Sequence, residues 1–508
     1  MIQNCAIIGA GPSGLITYHT LNNKTSLDII IYEKTNKIGG SWGFPNDPDF
    51  KSTTTKYSTQ FACFHKYYAT PYFENNEYGK YLEEFILSMK PPPKIIFNST
   101  LESISYDSNS EKYLLTFDKE TLYYDIVVIA NGLTSPIHRP RIRPRPSPII
   151  TNKIGKAYFN CNNILIIGGG ETAIDLATSY AKKISERKIY LSLRGGIRIS
   201  PRFHIINQTP PDYLRNRLML SFQKHIRNKV GYYFVKARII YQNWRDSTSK
   251  FRRDWELKLF ESAKDDIYNV FHTKNDDFLN YIDTYQIIII GNIVDLIYDK
   301  EKGLYNVSYL NYMATKYDKL HKMEVDIVHN TTPTRKIGDI LENSTINDFY
   351  LGVNYYKNIF RPAKLFTVGF VRPVIGNIPT ISELQSHYIA AFLFPNNIQK
   401  APTLNVLEVD RDNLKQLATY PYLDTSRIYP VDMMEYCDRI IGELCWNIPE
   451  VSLKNIKIWL CGFATHQYFT DEITNNYPIE MPLAIIILLL IGHIVQLFIN
   501  CFWKKQSF

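Results

Sequence analysis

Two glycine-rich runs, each followed by one decisive side chain, carry the chemistry legible in this chain. The first, Gly9-Ala10-Gly11-Pro12-Ser13-Gly14, follows the apolar run Cys5-Ala6-Ile7-Ile8 and opens a helical pattern reaching about Leu21. A G-x-G-x-x-G run between strand and helix suits a pyrophosphate. Gly9 makes a tight turn, Gly11 admits close backbone approach, and Gly14 lets helix meet strand. The free N–H groups at the helix start face the negative charge. A second strand pattern, Leu27 to Tyr32, ends at Glu33, whose carboxylate can accept hydrogen bonds from both hydroxyls of an adenosine ribose. A free 2′-hydroxyl is implied, so FAD or NAD fits this turn and NADP does not.

The same grammar returns at Asn163. The strand Ile164-Leu165-Ile166-Ile167 leads into Gly168-Gly169-Gly170-Glu171-Thr172-Ala173, a helix runs through about Lys182, and a strand from Ile189 to Leu193 ends at Arg194. Ala173 stands in the third small position, a permitted variant of the motif. A guanidinium after the second strand can pair bidentately with a 2′-phosphate, which points to NADPH, although an arginine there can also be ordinary surface.

Two such units predict an α/β protein with two dinucleotide-binding, Rossmann-like domains. Between them Pro136, Pro140, Pro144, Pro146 and Pro148 alternate with Arg139, Arg141, Arg143 and Arg145, a pattern that forbids regular helix or central strand and reads as an interdomain crossing. The 508 residues are 45% hydrophobic and 21% charged, which excludes a disordered or collagen-like chain. The net charge of +9 is regional, because residues 201–260 alone hold thirteen Lys and Arg against four Asp and Glu. Leu214, Leu218, Phe222 and Ile226 at four-residue spacing predict helices within this stretch, and its charges read as a solvated face. Nucleic acid is not expected as a partner, since no recognition motif accompanies the charge.

Seven scattered cysteines without a C-x-x-C pair exclude a zinc site or dithiol exchange of that kind, and no metal is expected. They read as reduced thiols in a cytosol-facing protein, and the N-terminus lacks the pattern of a signal peptide. Met481 to Trp503 is 23 residues without a formal charge, long enough at about 1.5 Å per residue to span a hydrocarbon core. A transmembrane helix is the first expectation. His493, Gln496, Asn500 and Lys504 share one helical face, and Lys504 and Lys505 would lie on the far side against the positive-inside bias, so a monotopic anchor is the alternative.

Glu33-Lys34 followed by Gly39-Gly40-Ser41-Trp42 resembles the flavin-containing monooxygenases and the related Baeyer–Villiger enzymes. Further likenesses follow in order: Tyr124 to Gly132, Leu365 to Phe370, Ser382-Glu383-Leu384-Gln385, and Tyr429 to Gly442 with the apolar tail. The resemblance implies an FAD domain from residues 1–155 and 331–470, an inserted NADPH domain over 156–330, and an anchor at 481–503. It also implies cytosolic catalytic domains at a membrane such as the endoplasmic reticulum. NADPH would reduce the flavin by hydride transfer, and the reduced flavin would pass one oxygen atom from O2 to a nitrogen or sulfur centre of a small molecule. Carried over, Gly9, Ala10, Gly11, Pro12, Ser13 and Gly14 would cradle the pyrophosphate and Glu33 the ribose. Gly40, Ser41 and Trp42 would flank the flavin, and Gly168, Gly170, Thr172, Ala173 and Arg194 would hold NADPH.

Three departures bear on oxygen transfer. The F-x-G-x-x-x-H motif is not recognisable between Ile149 and Asn160, an asparagine near the flavin ring is replaced within Ser52 to Lys56, by Thr53, and Asp326 to Thr332 lacks a glycine after its strand. No catalytic side chain is assigned, and His329 reads as structural. A peroxide-releasing NADPH oxidase and a lapsed flavoprotein scaffold stand as alternatives. A disulfide reductase is disfavoured by the missing C-x-x-C.

Overall fold

A computed structural model of the chain describes residues 3–42, 50–118, 120–132, 142–143, 163–183, 187–203, 209–245, 249–264, 266–314, 318–331, 359–361, 364–394, 411, 414, 430–446, 459–460 and 468. The chain divides into two compact units: Met1–Leu133 with Thr209–Phe222 and Arg335–Phe508, and Thr134–Gln208 with Gln223–Thr334.

The first unit begins with β1 (Asn4–Ile8), α1 (Pro12–Lys24) and β2 (Asp28–Tyr32), the two strands pairing in parallel from Asn4 opposite Asp28 to Ile8 opposite Tyr32. The strands are near-continuous apolar runs because both faces of a parallel sheet are covered; Cys5, Ala6 and Ile7 are fully buried. Next comes α2 (Glu77–Ser88), whose Tyr78, Tyr81, Leu82 and Phe85 are buried. An antiparallel meander of Leu101–Asp107, Lys112–Phe117 and Thr121–Tyr124 packs Ile104, Tyr113, Leu115 and Phe117 onto the sheet. β3 (Ile126–Ile129) then pairs in parallel with β1 on the side away from β2.

The second unit repeats this grammar with β4 (Asn163–Ile167), α3 (Glu171–Lys183) and β5 (Lys188–Ser192). Its parallel sheet runs Ile287–Ile290, β5, β4, β6, where β6 is Ile327–Asn330. The side of α3 carrying Ala173, Ile174, Ala177 and Tyr180 packs into a core with Ile164, Ile166, Ile189 and Leu191.

Helices form within 201–260 as the spacing suggests, but the stripe of Leu214, Leu218, Phe222 and Ile226 does not lie on one element. Pro210 and Pro211 restrict the backbone to a short 3-10 turn, Pro211–Leu214. The side chain of Asn216 then caps a new four-residue helix, Arg217–Leu220, by accepting the Met219 N–H at 2.9 Å. The long helix begins only at Lys224 and runs to Arg245, followed by Lys250–Glu261. The stripe also crosses a boundary: Thr209–Phe222 belongs to the first unit although the chain on either side of it belongs to the second. Arg217 holds it there through a bidentate pair with Asp438, at 2.9 and 3.2 Å.

Returning to the first unit, β7 (Leu365–Thr367) enters beside β3, giving a sheet ordered Phe360–Arg361, β7, β3, β1, β2, Lys94–Ile96. α4 (Ile378–Leu393) starts at Asn377, whose side chain caps the Thr380 N–H, and packs along α1. Small polar residues let the two helices approach: Ser13 Oγ lies 2.8 Å from Ser382 Oγ, and Thr17 Oγ1 lies 2.9 Å from Ser386 Oγ. α5 (Met433–Glu443) follows, capped by the buried carboxylate of Asp432. The expected anchor, Met481 to Trp503, lies outside the described residues, as do Ile149 to Asn160. Among the described residues no helix is long and apolar enough to cross a membrane.

Candidate functional site: two glycine cradles

In the first cradle the glycines divide the work. Gly9 adopts φ +108, and a Cβ on it would lie 2.8 Å from the Ala130 carbonyl oxygen, so the end of β3 closes on the turn. A Cβ on Gly14 would lie 1.9 Å from the Gly9 carbonyl oxygen, which sets how tightly α1 meets its strand. Gly11 differs: its nearest neighbour is the Gly40 Cα at 3.8 Å, so the protein leaves room in front of it. Gly11 is also the N-cap of α1 and supplies no side-chain cap; Pro12 occupies the first turn, which carries no acid. The helix therefore presents an uncapped, positive N-terminus.

Glu33 ends β2 and is buried. Its Oε2 accepts the Ala10 N–H at 2.8 Å, and its Oε1 accepts the Thr35 N–H at 2.9 Å and the Thr35 hydroxyl at 2.8 Å. The carboxylate is thus held beside the turn by its own chain. The segment Gly39 to Trp42 is drawn to the same place, since Gly39 N–H donates to the Ala10 carbonyl at 2.8 Å and Gly40, at φ +55, lies against Gly11. Gly40–Trp42 forms a 3-10 turn with Ser41 exposed, and the Trp42 ring sits edge-on to Phe50 and Tyr78. Ser13 meets α4 through Ser382, and a Cβ on Gly369, where φ is +80, would lie 2.4 Å from Ser13 Oγ. The structure therefore brings Gly9 to Gly14, Glu33, Gly40, Ser41 and Trp42 into one neighbourhood.

Thr53 lies half-buried on the strand Lys51–Thr55. Its neighbour Thr54 lines a cavity of about 30 Å³ with Ser58, Asp212, Arg215, Gly376 and Met433. That volume holds about one water, not a substrate. Asp212 reaches this strand by accepting the Thr55 N–H at 2.9 Å.

In the second cradle Gly168 adopts φ +131, and a Cβ on it would lie 2.3 Å from Thr331 Oγ1. Thr331 thus seals the turn where the returning strand lacks a glycine, its hydroxyl donating to the Ile167 carbonyl at 3.0 Å. Gly170 has nothing within 4 Å of a notional Cβ, so this position is open, while Ala173 is fully buried between helix and strand. Thr172 is exposed near the start of α3. Arg194 is exposed just beyond β5 and has no ion-pair partner among the described residues. His329 is fully buried on β6, its Nε2 2.9 Å from the Tyr180 hydroxyl, which is a structural role. Among the described residues no cluster of His, Cys, Asp and Glu could hold a metal.

A family model described as pyridine nucleotide-disulphide oxidoreductase matches residues 6–227. The chain is 24% identical to flavin-containing monooxygenase 5 of Oryctolagus cuniculus over 84% of this chain and 79% of that protein. It is 23% identical to 4-hydroxybenzoate brominase (decarboxylating) of Marinomonas mediterranea over 80% and 76%. The solved structure of OTEMO in complex with FAD and NADP matches with a TM-score of 0.63 at 14% identity, covering 87% of this chain and 97% of that one. Over most of its length the chain is therefore similar to flavin-containing monooxygenases, and its fold is that of the two-domain flavin monooxygenases. The chain holds no C-x-x-C pair, and among the described residues Cys5, Cys63, Cys437 and Cys445 are free thiols.

The contacts that sequence reasoning missed come from far along the chain. Thr331 and Asp212 join their sites across 163 and 157 residues, with no local motif to announce them. Gly369 was visible only as part of a resemblance; its φ and its closeness to Ser13 are what make glycine necessary there.

Proposed function

We propose that this protein is an FAD- and NADPH-dependent monooxygenase that transfers one oxygen atom of O2 to a nitrogen or sulfur centre of a small molecule. One observation carries the reading: two separate strand–glycine–helix cradles, one backed by the buried acid Glu33 and the other by the exposed Arg194. Room before Gly11 and beside Gly170, where the other glycines are closed, fits a pyrophosphate at each helix start. When bound, FAD reduced by NADPH supplies the oxygen activation.

This chain's residues do the binding and orienting. The α1 N-terminus and the Gly11 backbone hold the FAD pyrophosphate, while Glu33, already held by Ala10 and Thr35, accepts from a ribose hydroxyl with the lone pair left on Oε2. Gly40, Ser41 and Trp42 flank the flavin side, with Trp42 steadied by Phe50 and Tyr78, and Thr53 stands in for the asparagine expected near the ring. Gly168, Gly170, Thr172 and Ala173 shape the second turn, and Arg194 pairs with the 2′-phosphate.

Purified protein tests this directly. Retained yellow flavin that bleaches with NADPH, with product formed in step with NADPH and O2, is the expected result. Peroxide released in the amount of NADPH consumed would replace oxygen transfer with an oxidase, and absence of flavin would leave a scaffold. Membrane attachment through 481–503 is part of the proposal, and resistance of the full chain to alkaline carbonate extraction tests it.

A further inference from the structure

The helix Lys224–Arg245 is apolar on two sides. One side packs inward, with Tyr232, Val235 and Ile239 buried and the Tyr232 ring stacked on Phe260 at 5.1 Å. On the other side Ile226, Val230, Tyr233, Ala237, Ile240 and Trp244 are all exposed. Their spacing of four, three, four, three and four residues keeps them within about 40° of one line at 100° per residue. Phe234 and Tyr241, also exposed, widen this stripe. Trp244 is 76% exposed, Val230 62% and Phe234 56%, values that exclude a role for these side chains in the core. A contiguous apolar stripe of this length on a surface helix marks an interaction face.

Charge decides the partner. The helix contains six Lys and Arg and no Asp or Glu. Arg238 is taken up by the buried Glu256 at 3.3 Å, but Lys229 and Lys236 stand exposed along one margin of the stripe. The register places Arg227 toward the other margin. Pairing this face with a second copy would set like charges against one another. Aromatic and aliphatic side chains flanked by lysines match a bilayer interface, where rings enter the boundary region and ammonium groups reach anionic headgroups. We propose that this exposed face docks the protein on an anionic lipid surface. The proposal does not depend on the redox reading, nor on the segment 481–503.

Hydroxyl-radical footprinting of the full chain tests it, because it reads Tyr233, Phe234, Tyr241 and Trp244 locally and is not confused by attachment elsewhere. Adding phosphatidylcholine vesicles that contain phosphatidylserine should lower labelling of these four side chains several-fold, and phosphatidylcholine vesicles alone should not. Lys229→Gln with Lys236→Gln should raise the anionic vesicle concentration needed for half protection by roughly thirtyfold. Unchanged labelling with anionic vesicles would overturn the proposal, as would equal protection by neutral ones. Protection that grows with protein concentration in the absence of lipid would replace the bilayer with a second copy.

Discussion

The glycines of the two cradles, alike in sequence, separate into closed and open positions once their neighbours are known. Gly14→Ala would push a Cβ against the Gly9 backbone, which cannot swing away as a side chain can, and should destabilise the protein by about 3 kcal/mol in denaturant unfolding. Gly170→Ala meets nothing and should leave stability within about 0.5 kcal/mol. If Gly170 faces NADPH as proposed, the same substitution should still raise KM for NADPH. Arg194→Ala should raise KM for NADPH at least tenfold more than KM for NADH, because only the phosphorylated ribose loses a bidentate partner; equal changes would remove Arg194 from the site.

A titratable side chain away from both cradles sets a pH dependence. Burial, with Lys24 and then His19 nearby, lowers the pKa of His387 from its ordinary 6.5 to about 3. The unfolded chain takes up this proton near pH 6.5 and the folded chain resists until about pH 3, so this contribution is present above 6.5 and is lost as pH falls across that window. The ring is only partly buried by surface area, so the slope stays below about 1.4 kcal/mol per pH unit. Unfolding free energy measured from pH 7 to 4 should fall less steeply in His387→Gln than in the parent.

At the scale of elements, helix starts and strand–turn–helix order were legible because caps and turns act over a few residues. The helices expected in 201–260 are present, and the division of 214–226 among separate elements is equally physical. Periodicity reports which positions share a helical face, but two prolines and the Asn216 cap divide the segment, and tertiary contacts assign its first part to the other unit. Arg217 is central to that assignment: its side chain is 2% exposed against 23% for Asp438, and its guanidinium also lies over the Tyr468 ring at 4.9 Å. Arg217→Met would leave Asp438 and the Tyr468 hydroxyl without their cation, and should destabilise the first unit by about 3 kcal/mol, read as a lowered denaturation midpoint. α1 and α4 show the opposite case. Their Ser13–Ser382 and Thr17–Ser386 contacts join residues 369 apart, which no periodicity could pair.

For the whole molecule, two units with their own parallel sheets should respond separately to their ligands. NADP+ at about one hundred times its Kd should stabilise the unit that binds it by about 2.7 kcal/mol, seen as a raised thermal midpoint that Arg194→Ala greatly reduces. Stripping FAD should lower the transition of the first unit instead.

By itself the sequence determined the two β-α-β units, the glycine spacing of both turns, and the acid and arginine that follow them. These features act through backbone dihedrals, capping and helix-end charge, all local within about thirty residues. Only the tertiary structure decided that Ala130 closes on Gly9, that Thr331 fills the space over Gly168, and that Glu33 is braced by Ala10 and Thr35. It also decided that Thr209–Phe222 joins the first unit and that the apolar stripe of Lys224–Arg245 stays uncovered. Burial depends on which distant residues arrive at a surface, and a residue's own neighbours in the chain do not carry that information.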